Sequence, residues 1–207
     1  MYMIEPEDIQ RFTRLSDTLE WHKPWLFANV REQIDKTEYT IQKYWANKLD
    51  MINKSVAIFN SGFGFYSVPF CSEKGASYIR TYDMDPTTKE IAWYLNGEYK
   101  PKFDHQLLNI TFDYKEVFDD AHIYINTSCE HSYPMGELLE EKAKGKLCVM
   151  SGNNLTKRGH INLIDSIDML QEQCQLSEIY DEDVMEFEYD DELGKRKYKQ
   201  FFIIGVK

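Results

Sequence analysis

Positive charge is scarce in this sequence: 24 lysines and arginines stand against 35 aspartates and glutamates, a formal net charge of −11 over 207 residues. The overall field of such a chain repels phosphate backbones, which argues against a free-standing binder of long nucleic acid and leaves room for a nucleotide-sized substrate. The two basic clusters, Lys157-Arg158 and Lys195-Arg196-Lys197, are short and read as solvated surface. Cysteine is also sparse. Cys71, Cys129, Cys148 and Cys174 include no Cys-x-x-Cys pair, so no zinc ribbon is expected. Cys148 sits in an apolar run and reads as a reduced core thiol. Apolar runs such as Phe201–Val206 are too short to span a bilayer, and no basic-then-apolar leader opens the chain. A cytoplasmic protein that does not enter a membrane is therefore expected. Internal repeats and low-complexity segments are lacking as well.

Aromatic residues are plentiful: 14 Tyr, 12 Phe and 4 Trp supply apolar area for a core and make disorder over most of the chain improbable. The first fifty residues read as helices. Pro6-Glu7-Asp8 opens one, with acidic residues suited to a helix N-terminus. Tyr39, Ile41, Tyr44, Trp45 and Leu49 fall near helical spacing, and Pro24 breaks the aromatic cluster of Trp21, Trp25 and Phe27. These residues are expected to form an N-terminal helical extension over 1–51.

Beyond that point short apolar runs alternate with helical patterns. Strands are expected at 55–59, 77–82, 107–112, 122–125 and 146–150, and helices at 88–96, 135–144 and 164–173. Such alternation predicts an α/β fold with a mostly parallel sheet. Two final strands, 184–189 and 198–206, flank the polar turn Asp190–Lys197. Their connector is too short for a parallel crossover, so they must pair as an antiparallel hairpin.

Polar and glycine-rich segments sit where strands end. Gly62 and Gly64 follow the first strand in Asn60-Ser61-Gly62-Phe63-Gly64-Phe65, where glycine lets the backbone turn sharply and approach a ligand. Asp83 ends the second strand some twenty residues on, where a carboxylate can accept from two vicinal hydroxyls. Asp85-Pro86 reads as the start of the next helix. The fourth strand runs into Asn126-Thr127-Ser128-Cys129-Glu130-His131, and the fifth into a segment holding Asn153, Asn154, His160 and Asn162.

This order of elements, with these motifs, resembles the class I S-adenosylmethionine (SAM)-dependent methyltransferases over residues 52–207. Around Asn126–His131 and Asn153–Asn162 the chain is also similar to phage-encoded methyltransferase-like proteins of unassigned substrate. The resemblance implies a Rossmann-like, doubly wound sheet and SAM as cofactor. It implies that Asn60, Gly62 and Gly64 wrap the methionine end, that Asp83 holds the ribose, and that Asp113, just past the expected third strand, accepts from the adenine amino group. Two departures stand out: Asn60 replaces the family's acidic residue, and Tyr66 its third glycine. Tyr66 also spoils a three-glycine dinucleotide fingerprint, which ranks a nicotinamide enzyme last.

The end of the fourth strand borders the methyl donor in that family. Glu130 or His131 could there act as general base, histidine titrating near neutral pH. Asn126 could orient an acceptor amine, although the two prolines of the Asn-Pro-Pro-aromatic motif are missing. Cys129 lacks the preceding proline of the pyrimidine C5-methylating enzymes. Asn153, Asn154 and His160 are expected to read the acceptor. The ligand types of Cys129, Glu130, His131 and His160 suit a metal, but their spacing does not demand one, and a metal-free site is expected. His22, His105 and His122 read as structural. The acceptor is expected to be a small molecule, a nucleotide or another polar group. The alternative is a binding protein of the same fold that has lost transfer and offers its acidic surface to a protein partner.

Overall fold

The computed structural model describes residues 50–207 except positions 66, 118, 157, 158, 192 and 193. The helices expected in the first fifty residues, Tyr66 and the pair Lys157-Arg158 lie outside the described residues.

A seven-stranded sheet organises the chain. In sequence the elements are β1 (Ser55–Phe59), α1 (Ser67–Glu73), β2 (Tyr78–Asp83), α2 (Thr88–Asn96), β3 (Phe103–Leu107), β4 (Ile123–Asn126), α3 (Gly136–Lys142), β5 (Leu147–Asn153), α4 (Ile167–Cys174), β6 (Glu178–Asp191) and β7 (Gly194–Val206). The strand order is β3-β2-β1-β4-β5-β7-β6. Strands β1 to β5 pair in parallel, and β7 lies antiparallel between β5 and β6. This is the Rossmann-like α/β fold with a terminal antiparallel pair that the sequence predicts.

The apolar runs explain the layers. Every residue of β1 is buried, as a central strand covered on both faces requires. Alternate side chains point to opposite faces. Ala57 and Phe59 pack with Leu138, Leu139 and Leu170 of α3 and α4. Val56 and Ile58 pack with Val68, Phe70 and Ala92 of α1 and α2. Ser166 caps α4, its hydroxyl accepting from the Met169 N–H at 3.1 Å. No helix among the described residues is long and apolar enough to cross a membrane.

The third strand departs from expectation. It occupies Phe103–Leu107, not 107–112. Its polar residues hide it in the sequence, and Asp104 and His105 are satisfied by other elements. Asp104 pairs with Arg80 of β2 at 3.0 Å. His105 is buried, its Nδ1 at 2.8 Å from Thr81 Oγ1 and its Nε2 at 3.0 Å from Thr88 Oγ1. The segment after it turns instead of extending: Asn109 Oδ1 accepts from Thr111 N–H, and Phe112 is exposed.

The terminal strands are longer than expected and take in most of the predicted polar turn. Register sets Glu186 opposite Lys199 and Glu188 opposite Lys197, and opposite charges across a ladder favour pairing. The acidic run of β6 also lies on the sheet's edge, where charge discourages a second sheet from pairing. The basic cluster at 195–197 thus has a structural reading within the hairpin.

Candidate functional site

The chain leaves β1 toward β2 and β3, then returns to β4 on the other side of β1. That reversal opens a crevice at the carboxyl ends of β1 and β4, where open α/β sheets bind ligands. In register, Phe59 lies beside Tyr82 and Asn126, so the loops after β1, β2 and β4 begin together.

The loop after β1 is built on three left-handed residues at alternate positions: Asn60 (φ 47°), Gly62 (φ 53°) and Gly64 (φ 64°). Asparagine tolerates this conformation better than other side-chain-bearing residues, which gives Asn60 a local reason to stand there. At Gly64 a Cβ would also lie 2.9 Å from Val68 Cγ2. The loop is anchored by Asn96, whose amide donates to Phe63 O at 2.8 Å, and by Ser61 N–H, which donates to Tyr82 O at 3.1 Å.

Asp83 faces this loop. One carboxylate oxygen accepts from Gly62 N–H at 2.8 Å and the other from Asp85 N–H at 2.9 Å. Burial pushes its pKa up to about 6, against the lowering effect of those two bonds. Asp85 closes the turn into α2, its carboxylate accepting from Thr87 N–H and Oγ1.

The polar loop after β4 folds into a compact turn. Asn126 is fully buried, and its Oδ1 accepts from Ser128 N–H at 2.9 Å. Asn60 Nδ2 donates across to Ser128 O at 3.0 Å and lies 3.3 Å from Ser132 Oγ, tying the first loop to the fourth. Cys129 is a core thiol, its pKa held well above the ordinary value by the neighbouring Cys174 thiol and by burial, which opposes thiolate chemistry. Cys148 is likewise buried and free.

Cys129–His131 form one 3-10 turn that sets Glu130 inward and His131 toward the half-exposed rim. Glu130 is fully buried and accepts from Asn153 Nδ2 at 2.7 Å; the same amide donates to Gln200 Oε1 at 3.0 Å. The Glu130 carbonyl accepts from Ile161 and Asn162 N–H at 2.9 and 3.2 Å, which pins the segment after β5 against the turn after β4. His160 thereby meets His131, ring centroids 4.7 Å apart and nearly perpendicular.

Of the residues singled out in the sequence, Asn60, Asn126, Glu130, His131, Asn153 and His160 share this β4–β5 cluster, while Gly62, Gly64 and Asp83 share the β1–β2 cradle. Asn154 is turned to the sheet, its Oδ1 accepting from Lys199 N–H at 2.8 Å. Asp113 is exposed at the start of the 3-10 turn Tyr114–Glu116. With β3 ending at Leu107, the position just past the strand belongs to Leu108-Asn109. Gln200, buried in β7, went unnoticed in the sequence, where its signal is a lone amide before the apolar run Phe201–Ile204. A cleft of about 650 Å³ lies elsewhere, along α3 and α4, lined by residues such as Tyr114, Tyr133, Met169 and Gln173. None of the predicted site residues lines it.

No protein-family model matches the chain, and no curated protein matches it by sequence. Solved structures do. It superposes on the YcgJ protein of Bacillus subtilis with a TM-score of 0.61 at 10% identity, over 82% of this chain and 98% of that one. A candidate RNA methyltransferase of Pyrococcus horikoshii, PH1948, gives 0.55 at 16% identity over 84% and 83%. A candidate SAM-dependent methyltransferase of Listeria monocytogenes gives 0.50 at 12% identity over 77% and 94%. The chain has the class I methyltransferase fold. Within that fold, the Gly62–Asp83 cradle follows β1 and β2, and the Glu130–His131–His160 cluster follows β4 and β5.

Proposed function

We propose that the protein is a SAM-dependent methyltransferase acting on a small molecule, a nucleotide or another polar acceptor. The observation that carries this reading is the Gly62–Asp83 hydrogen bond, which holds a carboxylate acceptor against a glycine loop of left-handed residues. The cradle fits the cofactor's ribose: an ionised Asp83 has acceptor capacity beyond the two backbone bonds it makes, suited to vicinal hydroxyls. Gly62 and Gly64 keep the loop free of side chains where the methionine end would run. Asn109 replaces Asp113 as the residue best placed, just past β3, to accept from the adenine amino group.

SAM supplies a methyl group already activated by the sulfonium, so the chain's task is mainly to align the acceptor. His131 is suited to take the acceptor's proton. A carbonyl can only accept, so the 3.1 Å contact of its Nδ1 with Gly159 O puts the proton on Nδ1 and the lone pair on Nε2. Glu130, Asn153 and Asn126 brace that turn. A second reading, binding without transfer, is favoured by one fact: Asn60 donates to the β4 loop and offers no carboxylate to the SAM ammonium.

Calorimetric titration with SAM and with S-adenosylhomocysteine tests the proposal. Micromolar binding of either supports it and justifies an acceptor search with labelled SAM. Absence of binding by folded protein overturns it in favour of the partner-binding reading.

A further inference from the structure

Glu130, His131 and His160 each bring one potential ligand atom into a group in which all such atoms lie within 4.8 Å of one another. They come from two separate segments, joined by the two N–H donors of Ile161 and Asn162 on the Glu130 carbonyl. We infer that these three side chains form a binding site for one divalent transition-metal ion of the zinc class.

The imidazoles carry the inference. His131 Nδ1 lies 3.1 Å from Gly159 O, and His160 Nδ1 lies 2.6 Å from Leu155 O. Backbone carbonyls accept and never donate, so each neutral ring holds its proton on Nδ1 and keeps its lone pair on Nε2. Metal-binding histidines are oriented in this way, by an acceptor behind the ring. The carboxylate is braced too: Asn153 Nδ2 donates to Glu130 Oε1 at 2.7 Å, while Asn153 is itself held by Gln200. Gly152 lets the parts approach, since a Cβ there would lie 2.5 Å from Ile164 Cγ1 and 3.3 Å from Cys129 Cβ.

Two imidazole nitrogens and one carboxylate form a donor set used for zinc and other first-row divalent ions, with a fourth position left open. Bonds of ~2.0–2.1 Å in a tetrahedron place ligand atoms about 3.4 Å apart. Closing from separations within 4.8 Å requires the ligand atoms to approach by about 1.4 Å at most. An ion there compensates the charge of the fully buried Glu130 carboxylate. Both histidines are half-exposed, whereas Glu130 is buried, so the group lies at the protein's rim.

The site stands beside the acceptor edge of the preceding proposal, yet binding of the ion does not require SAM. It also changes the part played by His131. Once ligated, Nε2 is no longer a base, and a metal-bound acceptor loses its proton more readily by polarisation.

The test is titration of the full chain, freed of metal with a chelator, by Zn²⁺ calorimetrically and by Co²⁺ in visible absorption. One ion per chain and a Co²⁺ ligand-field spectrum are expected. His131→Ala and His160→Ala should each weaken Zn²⁺ binding more than about 100-fold, and Asn153→Ala about 10–100-fold. Glu130→Gln, which keeps the Asn153 bond, should weaken it while circular dichroism confirms the fold. No stoichiometric ion on folded parent protein, or unchanged binding in both histidine variants, overturns the site. SAM is titrated separately with and without Zn²⁺. Failure to bind SAM while Zn²⁺ binds refutes only the methyltransferase reading.

Discussion

The Gly62 N–H donates to the Asp83 carboxylate at 2.8 Å, locking the loop after β1 to the end of β2. This bond joins two distant sequence motifs in one cradle; on the proposed function, cofactor affinity follows the ionisation of Asp83.

Asp83 titrates near pH 6 because burial opposes its charge. Below that pH it protonates and loses acceptor capacity for ribose hydroxyls. SAM affinity should therefore be about tenfold weaker at pH 5 than at pH 7.5, following the ionised fraction. Asp83→Ala should weaken binding at pH 7.5 and flatten this dependence. Calorimetry at several pH values checks both, and unchanged affinity in the variant would remove Asp83 from the cofactor site.

Gly64 is required twice, for its φ of +64° and for its approach to Val68. Gly64→Ala should destabilise the protein by about 1–3 kcal/mol and lower its Tm. Adding Val68→Ala relieves the clash at 2.9 Å but not the backbone strain. The double variant should then recover the clash penalty only, apart from the cost of the cavity it opens. Thermal melts of the two single variants and the double separate these contributions.

His105 lies buried between Thr81 and Thr88, and burial pulls its pKa down to about 4. A folded-state pKa below the unfolded value means that the unfolded chain binds the proton first. The stability this residue contributes is complete above about pH 6.5 and is lost as pH falls toward 4, about 3 kcal/mol in all. Asp83 acts in the opposite sense: its raised pKa imposes a cost at neutral pH that disappears on acidification. The comparison must therefore be parent against His105→Gln across pH 4–7. Denaturant unfolding should show the gap between them narrowing as pH falls.

How much of this was legible in the sequence depends on which partners satisfy the polar atoms. β1, β4 and the first half of β5 announce themselves because their apolar side chains feed two buried faces, and β2 by its aromatic and β-branched residues Tyr78, Ile79, Thr81 and Tyr82. β3 does not, since Asp104 and His105 are satisfied by Arg80, Thr81 and Thr88, residues far away along the chain. The misplaced strand carried Asp113 with it, and the strand-end position passed to Asn109. The polar run at the end of β4 was legible as a hydrogen-bonded cluster, because six such residues after an apolar stretch demand partners. What those partners are was not: the Asn153–Gln200 pairing depends on β7 inserting beside β5, a topology no local pattern encodes. The tautomers of His131 and His160 are equally invisible, being set by the carbonyls of Gly159 and Leu155.

His131 offers the cleanest separation of binding from chemistry. It is half-exposed, and its Nδ1 contacts Gly159 O in a surface turn, whereas Glu130, Asn153 and Gln200 form the buried brace beneath it. Removing the ring therefore leaves the brace and the Asp83 cradle in place. His131→Ala should keep SAM affinity within about twofold while turnover falls roughly 10²–10⁴-fold, the range for loss of a positioned acid–base group. His131→Ala measured with chelator and with added Zn²⁺ divides that loss further. A rate lost equally in parent protein on chelation assigns His131 to a metal; a parent rate indifferent to chelation assigns it to proton transfer. Equal loss of SAM affinity and turnover would instead make the turn structural, with chemistry placed elsewhere along the crevice.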